Sequence, residues 1–395
     1  MRCCSAPAAP GAARERHAVT EPEALATFTS GVPRAVNVAE IERELQHVWR
    51  AAGEAETEGA VLRASMLNFI VRVSDHDRDT MAVEAVARVS TELPCRAFVL
   101  IDTPGTPQDP PLEAWISSHC QPAGPGGKLV CCEQITVRVT PQAVDGLPST
   151  LLALLVPDLP TALWWPGDAA LDGPLFARLA RHVDTLVVDS SQFAVPARGL
   201  GALSRWARSS PDLAVADLAW TRLDAWRELT AGQFDAAPFA ALLPTLHAVE
   251  IEHDAAAGGL AWLYCGWLAS RLGWTMLGRD AAAMHLRGAH GEVLITLRAA
   301  AAHAGAGNDP ALAPGLRSVV LHAAESTTFH VAASRTHHTL LEARVERPDA
   351  CPLPRLLEPK PLDAGAELVH VLARTRRNVA FEDALHVAAR FAGAA

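Results

Sequence analysis

The sequence predicts an α/β N-terminal domain with a mostly parallel or mixed sheet, followed by an α+β C-terminal domain with a mainly antiparallel sheet. Three observations carry this expectation. A chain of 395 residues is long for a single hydrophobic core. Up to residue 238, helical periodicity alternates with short, near-continuous apolar runs, as expected of strands covered on both faces. Beyond it, strand-like runs follow one another at hairpin spacing. The expected divisions are a mobile Ala/Pro/Gly-rich segment at 1–35, the α/β domain at 36–238 and the α+β domain at 239–395.

The elements follow in order. "IERELQHVWRAAG" places Ile41, Leu45 and Val48 on one helical face. "ASMLNFIVRVS" is a short apolar run between polar residues, a buried strand. "RDTMAVEAVARVSTELP" is a helix stopped at Pro94, and "RAFVLID" is the next strand. "KLVCCEQITVRVT" alternates and reads as a longer strand with one wetter face. "LPSTLLALLVPD" is a helix ended by Pro157, ahead of a strand in "PTALWWPG". "PLFARLARHV" and "TLVVDSS" add a helix and a strand. "ADLAWTRLDAWRELTAGQFD" closes this half as one helix near residue 235. In the second half "GLAWLYCGWLASRLG" is a strongly apolar helix. "EVLITLRAA", "LRSVVLHAAE", "TTFHVAASR" and "HTLLEARVE" are strands. "GAELVHVLARTRR" and "AFEDALHVAARF" form a final helical pair.

Composition narrows the function classes. A net charge of -10 argues against a general nucleic-acid binder, which needs clustered Lys and Arg. The eight cysteines, at 3, 4, 95, 120, 131, 132, 265 and 351, fit neither a disulfide framework nor a zinc site. The N-terminus has no apolar secretory core, and the most apolar stretch ends at Arg271, short of a membrane span. The expectation is a soluble cytoplasmic protein with reduced thiols, no membrane and no nucleic-acid partner; a regulatory disulfide stays open as an alternative.

Catalytic signatures are missing from the sequence. There is no GxSxG and no HExxH; "RGLGALS" lacks the third glycine of a dinucleotide fingerprint, and "GPGGKL" lacks the Ser/Thr of a phosphate loop. His337 and His338 are neighbours on a predicted strand and point to opposite faces. No catalytic residue, metal or cofactor is expected.

Several polar groups beside apolar runs are candidates for binding. Arg63 and Asn68 open a strand and suit a phosphate or carboxylate, with ordinary turn hydrogen bonding as the competing explanation. Asp189 and Ser190 end a predicted parallel strand, where open α/β sheets hold ligands, although both are also common helix caps. Trp164 and Trp165 end another strand on opposite faces, leaving one ring for a second domain or a partner. In the Trp-rich helix, Arg222 and Trp226 are i,i+4 neighbours, so a guanidinium can lie over an indole. Trp220 and Arg227 complete a hot-spot composition that fits an interface between domains or with another protein.

Six strings carry a resemblance: "RASMLNFIV", "CCEQITV", "LLVPDLPTALWWPG", "LVVDSSQF", "ADLAWTRLDAWRELTAGQFD" and "WLASRLGW". In this order, over roughly residues 60 to 275, they resemble the glucose-6-phosphate dehydrogenase assembly protein OpcA family. The resemblance implies a non-catalytic protein that binds glucose-6-phosphate dehydrogenase and promotes its assembly or active state. It favours Trp164, Trp165, Trp220, Arg222, Trp226 and Arg227 as partner contacts. The competing class is a sugar-phosphate sensor or enzyme using Arg63, Asn68, Arg96, Asp189 and Ser190. Where the family reads His-Pro-Ser-Arg, this chain has Leu93-Pro94-Cys95-Arg96, which puts any ligand role of those groups in doubt. Some relatives are regarded as thiol-regulated, which makes Cys95, Cys131 and Cys132 redox candidates; no spacing shows which would pair.

Overall fold

The computed structural model describes residues 34–54, 61–74, 81–104, 112–122, 129–167, 171–280, 283–300, 315–333, 340–349, 352–359, 363–374 and 376–393. Residues 1–33, which make up most of the expected N-terminal segment, lie outside the described residues, as do Lys128 of "GPGGKL", His337 and His338.

The first sheet is built from β1 (Arg34–Val36), β2 (Val61–Arg63), β3 (Leu67–Ser74), β4 (Cys95–Asp102), β5 (Leu112–Pro122), β6 (Leu129–Val139), β7 (Thr161–Trp165), β8 (Thr185–Val188) and β9 (Ala214–Asp217). Among them run α1 (Ile41–Glu54), α2 (Met81–Glu92), α3 (Leu147–Leu154), α4 (Pro174–Leu179) and α5 (Pro196–Ser209). The strand order is β1-β5-β6-β4-β3-β7-β8-β9, with β2 beside β6. From β6 through β9 every pairing is parallel. β5 runs antiparallel to β6, and β1 antiparallel to β5. The order reverses at β3, with β4 and β6 on one side and β7, β8 and β9 on the other, which is the doubly wound arrangement. Strands covered on both faces need apolar residues at every position, and all five residues of β7 are buried. The "RGLGALS" glycines fall inside α5, not in a strand-to-helix turn.

The linker does not form the single helix that its sequence suggests. It breaks at Leu223 into α6 (Leu218–Arg222) and α7 (Asp224–Gly232), followed by the short α8 (Ala237–Ala240). The second sheet then comprises β10 (Ala248–His253), β11 (Thr275–Arg279), β12 (Met284–Gly288), β13 (Gly291–Ala299), β14 (Leu316–His322), β15 (Thr328–Ala333), β16 (Leu341–Glu346) and β17 (Arg355–Leu357). Its order is β11-β12-β13-β10-β14-β15-β16-β17. β10 pairs parallel to β13, and the other pairings are antiparallel, so this sheet too is mixed.

The remaining helices are α9 (Gly258–Leu272), α10 (Ala364–Leu372) and α11 (Val379–Phe391). The last two return to the first sheet: α10 packs on α2 and α6, while α11 packs on α9 and α5. Apolar spacing explains the return. Leu368, Val371 and Leu372 of α10 join Phe69, Val71 and Trp164 in one buried cluster. A second cluster runs from Ile70 and Trp165 of the first sheet through Tyr264 of α9 to Val249, Ile295 and Val319 of the second. The two sheets therefore share a continuous core. Among the described residues, no helix is long and apolar enough to cross a membrane.

Candidate functional site

Three segments distant in sequence converge at the carboxyl ends of β8 and β9. Asp189 follows β8 and accepts from the Ser191 amide at 3.1 Å and hydroxyl at 2.5 Å. Asp217 ends β9 and caps α6: its Oδ1 accepts from Ala219 N at 3.0 Å and from Ser190 N at 2.9 Å. Arg222, at the end of α6, then spans two carboxylates. Its Nε and Nη2 donate to Glu367 of α10 at 2.7 and 2.6 Å. Its Nη1 and Nη2 donate to Asp189 at 3.1 and 2.9 Å, and Nη1 also donates to Ser191 Oγ at 2.8 Å. All five N–H groups of the guanidinium are thereby used.

Burial sets the electrostatics of this clamp. The Asp189 and Glu367 side chains are each 3% exposed and that of Arg222 24%. Burial works against the Arg222 charge, but the bonds and charges of Glu367 and Asp189 outweigh it and raise its pKa. Burial pushes Glu367 up, with Arg222 opposing. Asp217 is pushed up to about 7, first by burial and then by the charge of Asp189. The arrangement is a charge-assisted latch between a strand-end loop, the linker and a C-terminal helix.

The candidate tryptophans of β7 and of the linker pack inward. Trp164, Trp165, Trp220 and Trp226 are 1%, 4%, 6% and 8% exposed. Of the two readings the sequence left open, packing within the chain or contact with a partner, these rings fill the chain's own core. Trp165 meets Phe176 edge-on at 5.1 Å, and Trp220 lies against Phe381 of α11 at 5.5 Å. The expected stack of Arg222 on Trp226 is also replaced. The break at Leu223 ends the helical register, and it is Arg227 that lies over Trp220, 3.3 Å from the ring centre, while pairing with Asp224. Thr230 and Tyr264 share a 2.5 Å hydrogen bond, and Arg355 of β17 donates to Gly232 O at 2.8 Å. The stretch ties both sheets together.

The other ligand candidates lie at the opposite end of the first sheet. Asn68, near the start of β3, is spent on the turn before β7: its amide donates to Val156 O at 3.0 Å and its oxygen accepts from Val156 N at 2.9 Å. Arg96, near the start of β4, donates to Glu133 of β6 at 2.6 Å, to Leu154 O at 2.5 Å and to Glu42 of α1 at 3.1 Å. Arg63 reaches the same Glu133 at 2.9 Å, and the Trp49 indole also donates to it. The structure thus brings Arg63 and Arg96 together, with Asn68 beside the same strand starts. Asp189 and Ser190 belong to the Arg222 cluster at the other end, so one shared strand-end ligand site is corrected to two separate networks.

The cysteines also depart from expectation. Cys131 is bonded to Cys120, its direct cross-strand neighbour in the antiparallel β5–β6 pair, which corrects the expectation of reduced thiols throughout. Cys95 and Cys132 are free and buried. Burial pushes Cys95 up to about 12 and Cys132 above its ordinary value, so both stay as thiols at neutral pH. Sequence reasoning missed Glu367, Glu133, Trp49 and Cys120. It also passed over Asp217, although an Asp directly before a helical run is a legible cap signal.

Comparisons with known proteins agree with this geometry in their extent. Residues 86–205 match the model of the glucose-6-phosphate dehydrogenase subunit N-terminal domain, and residues 213–385 that of its C-terminal domain. The chain belongs to the OpcA family. The gap between the two OpcA matches, residues 206–212, runs from the last turn of α5 to the start of β9. An OxPP cycle protein OpcA of Synechocystis is 34% identical over 188 residues, covering 47% of this chain and 39% of that one. The OpcA of Nostoc punctiforme is 36% identical over 182 residues, covering 46% and 38%. The aligned stretch thus spans about two fifths of these curated relatives. A solved dehydrogenase from Clostridium difficile shows 9% identity and a TM-score of 0.41, covering 84% of this chain and 98% of that one.

Proposed function

We propose that this OpcA-family chain is a non-catalytic assembly factor and allosteric activator of glucose-6-phosphate dehydrogenase in the oxidative pentose phosphate pathway, acting in the cytoplasm by direct protein–protein binding. The observation that supports this reading is the pair of consecutive family matches, the second of which includes the linker, both described as parts of a glucose-6-phosphate dehydrogenase subunit. The shared core and the Arg222 clamp add a physical reason. A pre-ordered body gives up little conformational freedom on docking, so more of the contact energy appears as affinity. Activation then follows from tighter binding to the substrate-competent state of the dehydrogenase. A coupling of about 1–3 kcal/mol changes apparent affinity roughly 5- to 150-fold.

The Trp-Arg stretch supports binding from within, by fixing the two sheets relative to each other; its two cations, Arg222 and Arg227, have side chains 24% and 14% exposed. The competing sensor reading loses ground because the side chains of Asn68, Arg96 and Asp189 are engaged internally. For thiol control, the Cys120–Cys131 bond is the favoured element, since Cys95 and Cys132 are buried thiols. The test combines size-exclusion chromatography with substrate titration of the dehydrogenase from the same organism. Co-elution with a lowered substrate requirement supports the reading; separate elution with unchanged kinetics, oxidised and reduced, overturns it.

A further inference from the structure

The doubly wound sheet reverses its strand order at β3. Open α/β sheets hold ligands outside the carboxyl ends of their strands at such a point. Two buried donors here have no acceptor within the chain: Nε of Arg72 on β3 and Nε1 of Trp165 on β7. Ile70, Leu163 and Trp165 share one buried cluster, and Arg72, two residues after Ile70, points to the same face of the sheet. The Arg72 guanidinium lies over the Trp165 indole, 5.6 Å from its centre.

A buried N–H without an acceptor is costly, so each of these donors calls for an oxygen. The rest of the guanidinium narrows the choice. Arg72 Nη2 donates to Oδ2 of Asp102, at the end of β4, at 3.0 Å, and no described residue donates to Asp102 Oδ1. The charges of this pair cancel, so an acceptor-only anion would reach the donors against the Asp102 carboxylate. A hydroxyl fits where an anion does not, since it offers lone pairs to N–H donors and a proton to a carboxylate. Two adjacent hydroxyls serve donors on two neighbouring strands. The sequence after β3 agrees. Residues 75–80 hold three aspartates, one arginine and no glycine, so the glycine turn that cradles a pyrophosphate is missing. The edge is also open to solvent. The Asp102 side chain is 38% exposed, and Gly167, just beyond β7 with φ 76°, has nothing within 4 Å of where a Cβ would stand.

We propose that Arg72, Trp165 and Asp102 form a binding site for a vicinal diol, the group shared by the ribose of a nucleoside and by free sugars. One hydroxyl accepts from Arg72 Nε and donates to Asp102 Oδ1; its neighbour accepts from Trp165 Nε1. The site shares no residue with the Arg222 and Glu133 networks, and it does not rest on the dehydrogenase reading.

Isothermal titration of the full chain, without dehydrogenase, tests this with adenosine, 2′-deoxyadenosine, glucose and inorganic phosphate as probes. The expected result is saturable binding of adenosine or glucose, with phosphate silent. If ribose is the source, 2′-deoxyadenosine binds at least tenfold more weakly than adenosine; if a free sugar is, glucose binds and adenosine does not. Arg72→Lys keeps a cation for Asp102 and removes Nε, while Trp165→Phe keeps an aromatic ring and removes the indole N–H. Each weakens binding at least tenfold with cooperative melting retained. Trp164→Phe removes an indole N–H that is also unpartnered but lies in the cluster on the opposite face, and it leaves binding unchanged. No binding of either diol overturns the proposal and leaves the two donors to water. Binding that tolerates both Arg72→Lys and Trp165→Phe, or equal binding of adenosine and its deoxy analogue, overturns it as well. Binding of phosphate alone does so in favour of an anion site.

Discussion

Arg222 draws its two partners from 33 and 145 residues away in the chain, and both are carboxylates removed from water. Truncating it leaves two buried anions facing each other without a counter-charge. Arg222→Ala is therefore expected to cost about 3–5 kcal/mol, read as a lower melting temperature, with normal activation per folded molecule. Loss of dehydrogenase binding by a fully folded Arg222→Ala protein would instead make this residue a contact. Asp217 provides a pH signature. Its pKa in the folded chain is raised to about 7, above the ordinary carboxylate value, so the folded state holds a proton that the unfolded chain releases near pH 4. The stabilisation is complete below about pH 4 and is lost as the pH rises through 7. Asp217→Asn keeps an acceptor for Ser190 N and Ala219 N and removes the charge. It should flatten the decline in melting temperature between pH 5 and 8, leaving the variant more stable than wild type at pH 8; an unchanged slope would assign the decline to other groups.

At the scale of elements, the closest approach is between α9 and α11. A Cβ on Gly266 would lie 2.1 Å from Ala384 O, so only glycine permits this crossing. Gly266→Ala is expected to destabilise by about 1–3 kcal/mol through overpacking, while an exposed α11 change such as Arg390→Ala leaves the melting temperature in place. The β5–β6 pair carries the disulfide. Closing a short loop, it should contribute about 2–3 kcal/mol, which reduction or Cys120→Ser removes as a fall in denaturant midpoint. Legibility divides along similar lines. The central strands, α1, α9 and the C-terminal helical pair were readable, because apolar periodicity within ten or fifteen residues reports burial directly. β5 was not read, and with it went Cys120, whose pairing depends on an antiparallel register that no local pattern encodes. The break at Leu223 was also hidden: α6 is capped by Asp217 but stopped by tertiary demands, Arg222 being pulled to Glu367 and Arg227 laid on Trp220. The tryptophans looked like hot spots because a tight interdomain contact and an external one draw on the same residues.

For the whole molecule, the layers decide how the chain acts. A doubly wound first sheet and a mixed second sheet share one core that includes the linker, and the C-terminal helices pack back onto the first sheet. Such a body offers a partner a fixed surface rather than a segment that folds on binding. The candidate ligand groups were legible as polar residues at strand ends. That they separate into two networks at opposite ends of the sheet was not, since Glu133 and Glu367 enter from other elements. The proposed role is that this OpcA-family chain activates glucose-6-phosphate dehydrogenase by binding it. The most direct measurement is the half-saturating substrate concentration of that dehydrogenase, titrated with and without the purified chain. The expected result is a decrease of about 5-fold or more that saturates with added chain, in line with the coupling expected of two linked sites. A half-saturating concentration indifferent to the chain, with the disulfide intact and with it reduced, would contradict it.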